Sequence, residues 1–496
     1  MIKNTLITIT RFINNILKQS SNNKIIIWAF LFMIQVAHAN TPLQSSIFGS
    51  DLTLTHKGNA FWHRSNQLGI YAKGEYVSFS FYGSYKNFPD YGISIIGNSN
   101  SFNKFMMPVG FMSKNIKGYN FKIGKWKKNI TTESNLSAGS FIRGNNAIPI
   151  PQISLSVPNY KKVKIFNREF LVKGGFSHGW FSKGKYVQAP FLHEKYLYIK
   201  RELENESSFS LGLVHEALWG GETKLHGSQP QTFPDYLRII FARSASSSGY
   251  IGEQVNVLGN HLGIWDLTYI KRGKTNDLKL YFQHPFEDKS GAYQYFFDEL
   301  KARKIPIKSF DGLFGIELTN SNSGILSKFL YEYINTMEQS GSQPPSDSTY
   351  GWDGYYNHYI YYSGWTNLGR GIANPLFTVG QIIEYGDNVI NNRIKAHHIG
   401  FLLKLSNHIN NKLLLTYSKN YGTYWDALVF KSENRPYKFS GGIKQFSALY
   451  QLEFLDVWNN VNIQVSYAAD RGELLDSSNS FLFSISYKFS NLSSSQ

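Results

Sequence analysis

Three histidine-bearing dipeptides stand out in this 496-residue chain: His193-Glu194, His215-Glu216 and His397-His398. Chelation of a metal, or acid–base work, would need both members of a pair to converge on one point. Adjacent residues in a strand point to opposite faces, so none of these pairs can grip one ion if its segment is extended. No His-Glu-x-x-His spacing occurs, and the absence of cysteine removes thiolate sites and disulfides together. A hydrolase would need a serine or threonine nucleophile, a histidine base and an orienting acid. Ser363, His284 and Asp288 can be named for those roles, but spacing does not prefer them to other sets. The expectation is no enzyme, no metal and no cofactor. A basic pattern is more informative: Arg393, Lys395 and His397 fall on one face of an extended segment, beside Asn391. Leu258–His261 and Tyr355–Tyr359 gather hydrogen-bonding groups, the second with aromatic rings. A ring can pack on the apolar face of a sugar while amides and charged groups take its hydroxyls. Most of the Tyr and Trp are expected instead in the aromatic belts at the membrane boundaries.

The elements that would carry these residues are strands. Phe481, Phe483, Ile485, Tyr487 and Phe489 alternate with Ser484, Ser486 and Lys488. Phe209, Leu211 and Leu213 alternate with Ser208, Ser210 and Gly212 in the same way. Such two-faced runs recur near 75–85, 119–126, 152–157, 191–200, 208–214, 236–242, 277–284, 312–318, 327–336, 413–418, 446–455, 461–467 and 481–489. Turn-rich insertions separate them, as at 97–100, 244–249, 341–354 and 470–480. After residue 40 no stretch approaches the ~18 consecutive apolar residues of a membrane helix. Membrane barrels instead use strands of ~9–11 residues, apolar outside and polar inside. The chain is therefore read as all-β: a large antiparallel transmembrane β-barrel of roughly 16–20 strands, about 18 favoured, with extracellular loops.

The first 39 residues have the three parts of an export signal. Lys3, Arg11, Lys18 and Lys24 are unopposed by acids, Ile25–Ala37 is almost unbroken apolar sequence, and Ala37-His38-Ala39 precedes Asn40 as a small-x-small cleavage site. The organisation expected is a cleaved signal peptide over 1–39, a short periplasmic segment over 40–60, the barrel over 61–489 and a polar tail over 490–496. The formal net charge of +17 falls to about +13 once the four basic residues of the signal are removed. A nucleic-acid partner conflicts with export. Outer-membrane lipid, lipopolysaccharide phosphates or an acidic polysaccharide suit the compartment.

Ten segments in order resemble the capsule assembly Wzi family of outer-membrane proteins. They are Phe61–Gly69 (FWHRSNQLG), Gly144–Pro149 (GNNAIP), Gly174–Trp180 (GGFSHGW), Phe191–Tyr198 (FLHEKYLY), Asp235–Arg238 (DYLR) and Leu258–Gly263 (LGNHLG). The others are Phe286–Gly291 (FEDKSG), Asp311–Leu313 (DGL), Ser363–Thr366 (SGWT) and Asn391–His398 (NNRIKAHH). The resemblance implies an outer-membrane lectin that attaches capsular or exopolysaccharide to the cell surface without covalent chemistry. A passive or substrate-selective pore is the alternative that the same strand pattern supports. The family's best-known members carry a helical segment that plugs the periplasmic end. Residues 40–60 show no helical period, so a plug here would have to come from loops. Glycan recognition needs planar donors and acceptors beside aromatic faces, with bidentate Arg where the sugar carries a carboxylate. The candidates are Trp219, Arg238, Asn260, His261, Trp265, Asp266, Trp365, Arg370, Arg393, Lys395 and His397.

Overall fold

The computed structural model describes residues 46–71, 74–85, 90–99, 105–128, 130–131, 134–182, 186–223, 225–287, 311–320, 324–339, 353–382, 386–423, 438–458 and 460–489. The expected signal peptide, the start of the 40–60 segment, Asp288 and the polar tail lie outside the described residues.

The alternating runs close into one ring. Strands β1 to β6 are Ser46–His56, Tyr76–Tyr85, Asp90–Asn98, Phe105–Ile116, Tyr119–Lys125 and Gln152–Ile165. Strands β7 to β12 are Arg168–Trp180, Phe191–Glu202, Ser207–Trp219, Asn260–Lys271, Asn276–Phe286 and Gly312–Asn320. Strands β13 to β18 are Leu326–Asn335, Ile394–Ser406, Ile409–Gly422, Lys438–Trp458, Val461–Gly472 and Ser478–Phe489. Neighbours are antiparallel throughout. β1 pairs with both β2 and β18, the latter from Phe48↔Phe489 to His56↔Phe481, which closes the 18-stranded sheet and removes its edges. The first described strand, Ser46–His56, thus lies inside the segment expected to precede the barrel. Only one short alternation, Leu52 and Leu54 against Thr53 and Thr55, marks that strand in the sequence.

A second expectation is also corrected. The run 236–242 is no strand; it lies mostly in helix α2, Phe233–Ile240, which follows the short helix α1, Phe61–Arg64, and precedes α3, Ile251–Val255. Thr232 and Asp235 form a reciprocal capping box, and Pro234 stands in the first turn, so the local signals outweigh the β-like composition.

Burial follows the strand period. On β9 Phe209, Leu211 and Leu213 are exposed, while Ser208, Ser210, Val214 and Glu216 are buried toward the lumen. Among the described residues, several cross-strand pairs set an aromatic ring over a glycine, including Gly212 under Tyr198, Gly263 under Phe286 and Gly315 under Tyr281. A Cβ on Gly315 would stand 2.0 Å from Tyr281 Cζ, so a larger residue there would displace the ring. The continuous outward apolar face is that of a barrel that crosses a bilayer. No helix among the described residues is long and apolar enough to do so.

The two ends differ. At one, tight turns such as 117–118, 166–167 and 407–408 join the strands, and Lys117 and Gly118 both take positive φ, as a two-residue hairpin turn requires. At the other, long connections include 126–151, 220–259 and 336–393. The first of these leaves β5 and reaches β14, nine places round an eighteen-strand ring, where Leu136 O meets His398 Nε2 at 2.7 Å. It therefore crosses the full width of the lumen. Phe141, Ile142, Tyr356, Trp365 and Phe377 from the loops join Leu192, Val214, Leu262, Ile334 and Leu414 from the wall in one buried cluster. Burying side chains of that size contributes ~1.5–3 kcal/mol each. The main core thus sits inside the ring. Loops plug it.

Candidate functional site

Charge fixes the plug to the wall. Glu194 on β8 and Glu216 on β9 are direct cross-strand partners, and both side chains are fully buried. Two carboxylates so placed repel unless cations intervene. Arg143 donates from Nε and Nη2 to Glu216 Oε1 at 3.1 and 2.8 Å, and from Nη2 to Glu194 Oε2 at 3.3 Å. Lys128 pairs with Glu194 and donates to Gln152 Oε1 at 3.2 Å and Ser177 Oγ at 2.9 Å. Burial acts to lower the Arg143 guanidinium, but Glu216 and Glu194 together outweigh it and hold it above its ordinary value. Burial lowers Lys128, with Glu194 opposing.

Further hydrogen bonds complete the attachment. Glu332 on β13 accepts from Ser137 Oγ at 2.6 Å, from Ala138 N at 2.8 Å and from the Tyr281 hydroxyl. Gln283 on β11 accepts from Ser140 Oγ at 3.0 Å and Phe141 N at 3.2 Å. The loops also bond to one another, Tyr356 OH donating to Phe141 O at 2.8 Å and Asn374 Nδ2 to Gly139 O at 2.6 Å. Between loop 57–71 and the short-turn end a cavity of about 390 Å³ remains, lined by Asp51, Tyr71, Tyr82, Lys412, Gln464 and Ser484 among others.

At the long-loop end, connections 220–259 and 336–393 bring four rings together. Tyr250, 44 % exposed, lies 4.8 Å from His226 and 5.8 Å from Tyr359, and Tyr359 stacks on His358 at 4.4 Å. Burial, then His261 and His226, push the His358 imidazole down to about 3, so it is neutral at ordinary pH and accepts from Ile360 N at 3.2 Å. Aromatic faces beside such an acceptor suit the hydroxylated ring of a sugar. Among the described residues no group of three or more His, Asp or Glu side chains is placed to hold a metal ion.

The residues singled out in the sequence are distributed over the molecule. Trp219 and His261 lie on the outer wall under α2: Trp219 stacks on Tyr236 at 5.1 Å, and His261 contacts His215 at 2.8 Å and Leu258 O at 2.7 Å. Trp265 is also outward, near Phe286. Asn260 and Asp266 are buried on the lumen side, Asp266 accepting from Tyr198 OH at 2.7 Å. Trp365 is buried in the plug, and Arg370 donates there to Tyr71 O at 2.7 Å. Arg238 is half-buried on α2, and Arg393 stands just before β14. Lys395 and His397 share one face, as expected, but it is the outer face of β14, where His397 meets Tyr331 and Tyr333. They do not form one pocket. The sequence reading missed Arg143, Glu194 and Glu216 because their partners are 51 and 73 residues apart; the paired carboxylates at equivalent strand positions were the available signal.

Among solved structures, Wzi of Escherichia coli, described as an outer-membrane protein involved in group 1 capsule assembly and a carbohydrate-binding β-barrel, is 13 % identical. The match covers 94 % of this chain and 88 % of that one with a TM-score of 0.57, a likeness of fold. OccK1 (OpdK) of Pseudomonas aeruginosa is 10 % identical over 90 % of this chain and 98 % of its own, with a TM-score of 0.46. OccK5 (OpdH) of Pseudomonas aeruginosa is 10 % identical over 90 % and 97 %, with a TM-score of 0.43. No curated protein sequence matches the chain. The family model for capsule assembly protein Wzi matches residues 34–384, more than half of the 496 residues, and the chain therefore belongs to that family.

Proposed function

We propose that this protein is an outer-membrane lectin that holds capsular polysaccharide on the cell surface through its long-loop end, without covalent chemistry. The observation that carries the reading is the crossing of the lumen by loop 126–151, anchored at Arg143, Glu332 and His398. A ring so obstructed is ill suited to bulk transport, and its loops are left to work as a rigid outward surface. Tyr250, Tyr359, His226 and His358 are the proposed sugar platform, one ring face meeting the apolar side of a sugar while hydroxyls and imidazoles take its polar groups. The resemblance of the solved Escherichia coli barrel, described as carbohydrate-binding, supports this reading.

The test is a deletion strain complemented with the double variant Tyr250→Ala, Tyr359→Ala. Polymer synthesis should be normal and barrel levels in the membrane unchanged, while polymer is shed into the medium. Full retention by that strain removes the platform from the proposal. A selective pore is the second reading, favoured by the cavity of about 390 Å³ beside β1 and β18. Stepwise conductance by the unaltered protein in planar bilayers would select it.

A further inference from the structure

Lys395, Lys419 and Lys444 lie in one cross-strand row. Lys395 pairs with Lys419 across β14 and β15, and Lys419 with Lys444 across β15 and β16. The strand period puts all three on the outer wall: Ala396, Ser418 and Gln445 beside them are buried toward the lumen, and Lys395 and Lys444 are exposed. Like charges directly opposite one another destabilise a sheet. Among the described residues no carboxylate stands within 4 Å of these ammonium groups. Glu473 is close, but its carboxylate accepts from the Lys444 backbone N–H at 2.9 Å. Glu338 lies near Lys395 and Arg393 without forming an ion pair with Lys395. Three ammonium groups in one row present a site for an anion that carries more than one charge.

The height of the row says which one. The next residues down the outer wall are His397, Tyr417 and Phe446, again direct partners, with Tyr333 beside His397 and Arg471 beside Phe446. Below these come Ile399, Leu415 and Ala448, then Phe401, Leu413 and Tyr450. Basic, aromatic and aliphatic rows thus succeed one another from the long-loop end toward the short turns. From Tyr417 to Ile409 is eight residues, ~27 Å along a strand at ~3.4 Å each, or ~20 Å of height at the usual tilt, close to the ~25 Å apolar band of such barrels. The lysines stand just above the aromatic girdle, at the level of lipid headgroups.

We infer that Lys395, Lys419 and Lys444 form a binding site for the phosphate groups of lipopolysaccharide in the outer leaflet. The inference rests on the barrel crossing the outer membrane with its long loops outward, as the proposed function requires. It moves Lys395 from the polysaccharide surface to the lipid boundary.

The test uses the full-length protein in detergent, with lipopolysaccharide of defined core length, the same material dephosphorylated, and purified capsular polysaccharide. Each lysine near an anionic lipid surface is worth a factor of roughly five, so the triple change to Gln should weaken lipopolysaccharide binding about a hundredfold. Lys419→Gln alone, the central position, should cost about fivefold and serves if the triple variant loses its heat-modifiable gel mobility. Dephosphorylated lipid should bind the unaltered protein weakly, and cells carrying the triple variant should retain polymer. Equal binding by the lysine variants, or no preference for phosphorylated lipid, overturns the assignment. Loss of polysaccharide binding with intact lipid binding would instead return the row to the glycan. Failure of the Tyr250 and Tyr359 platform leaves the lipid measurement untouched, so the two readings fail separately.

Discussion

Replacing Arg143 by Met should loosen the plug. The Arg143 side chain is 8 % exposed, and it faces two carboxylates with no solvent exposure. Met keeps much of the side-chain volume and removes the charge. Lys128 would still serve Glu194, but Glu216 would lose its direct ion-pair partner. Breaking a buried pair from one side costs about 3–5 kcal/mol, because the remaining charge is left uncompensated. If that cost falls on docking of loop 126–151, the undocked population rises by a factor of about a hundred to a few thousand. Planar bilayer recording reads this directly: the variant should show frequent stepwise openings where the unaltered protein shows few, and its melting temperature should fall. Adding Glu216→Gln should restore part of both, since the orphaned charge is then gone. Conductance and melting of Arg143→Met that match the unaltered protein would refute the idea that this ion cluster holds the plug.

Other perturbations probe separate parts of the same design. Burial raises the Glu253 carboxyl to about 7 against an ordinary 4.5, with the Gly259 N–H opposing, so the folded protein holds that proton more tightly than the unfolded chain. The stabilisation is complete below pH about 4.5 and is lost as pH rises through about 7; protease resistance of loop 220–259 should fall over that window, and Glu253→Gln should flatten the profile. Thr232→Ala removes one half of the capping box and should destabilise α2 by about 1 kcal/mol, read as faster amide exchange in that helix with the barrel unaffected. Gly315→Ala should push Tyr281 away from Glu332 and cost about 1–3 kcal/mol, visible as a lower melting temperature. An unchanged melt would mean the ring can shift without losing its bond.

Much of the wall was legible because a strand writes its environment into the sequence every second residue. Phe209, Leu211 and Leu213 declare an apolar face without reference to any other strand. The barrel class and a range of roughly 16–20 strands follow from such runs and chain length, whereas the count of eighteen came from the closed ring, and β1 was missed because its alternation is brief. Residues 236–242 misled because β-like composition was weighed without the Thr232 and Asp235 cap before it. The shared face of Lys395 and His397 was likewise a local fact.

Whether that face met lipid or lumen was not. Closure of the ring through β1 and β18 decided inside from outside, and only cross-strand register set Lys395 beside Lys419 and Lys444. The plug lay furthest beyond the sequence's reach. Arg143 finds Glu216 across 73 residues and one lumen, and such a contact leaves no period in the chain because it depends on where two distant loops and strands come to rest in space.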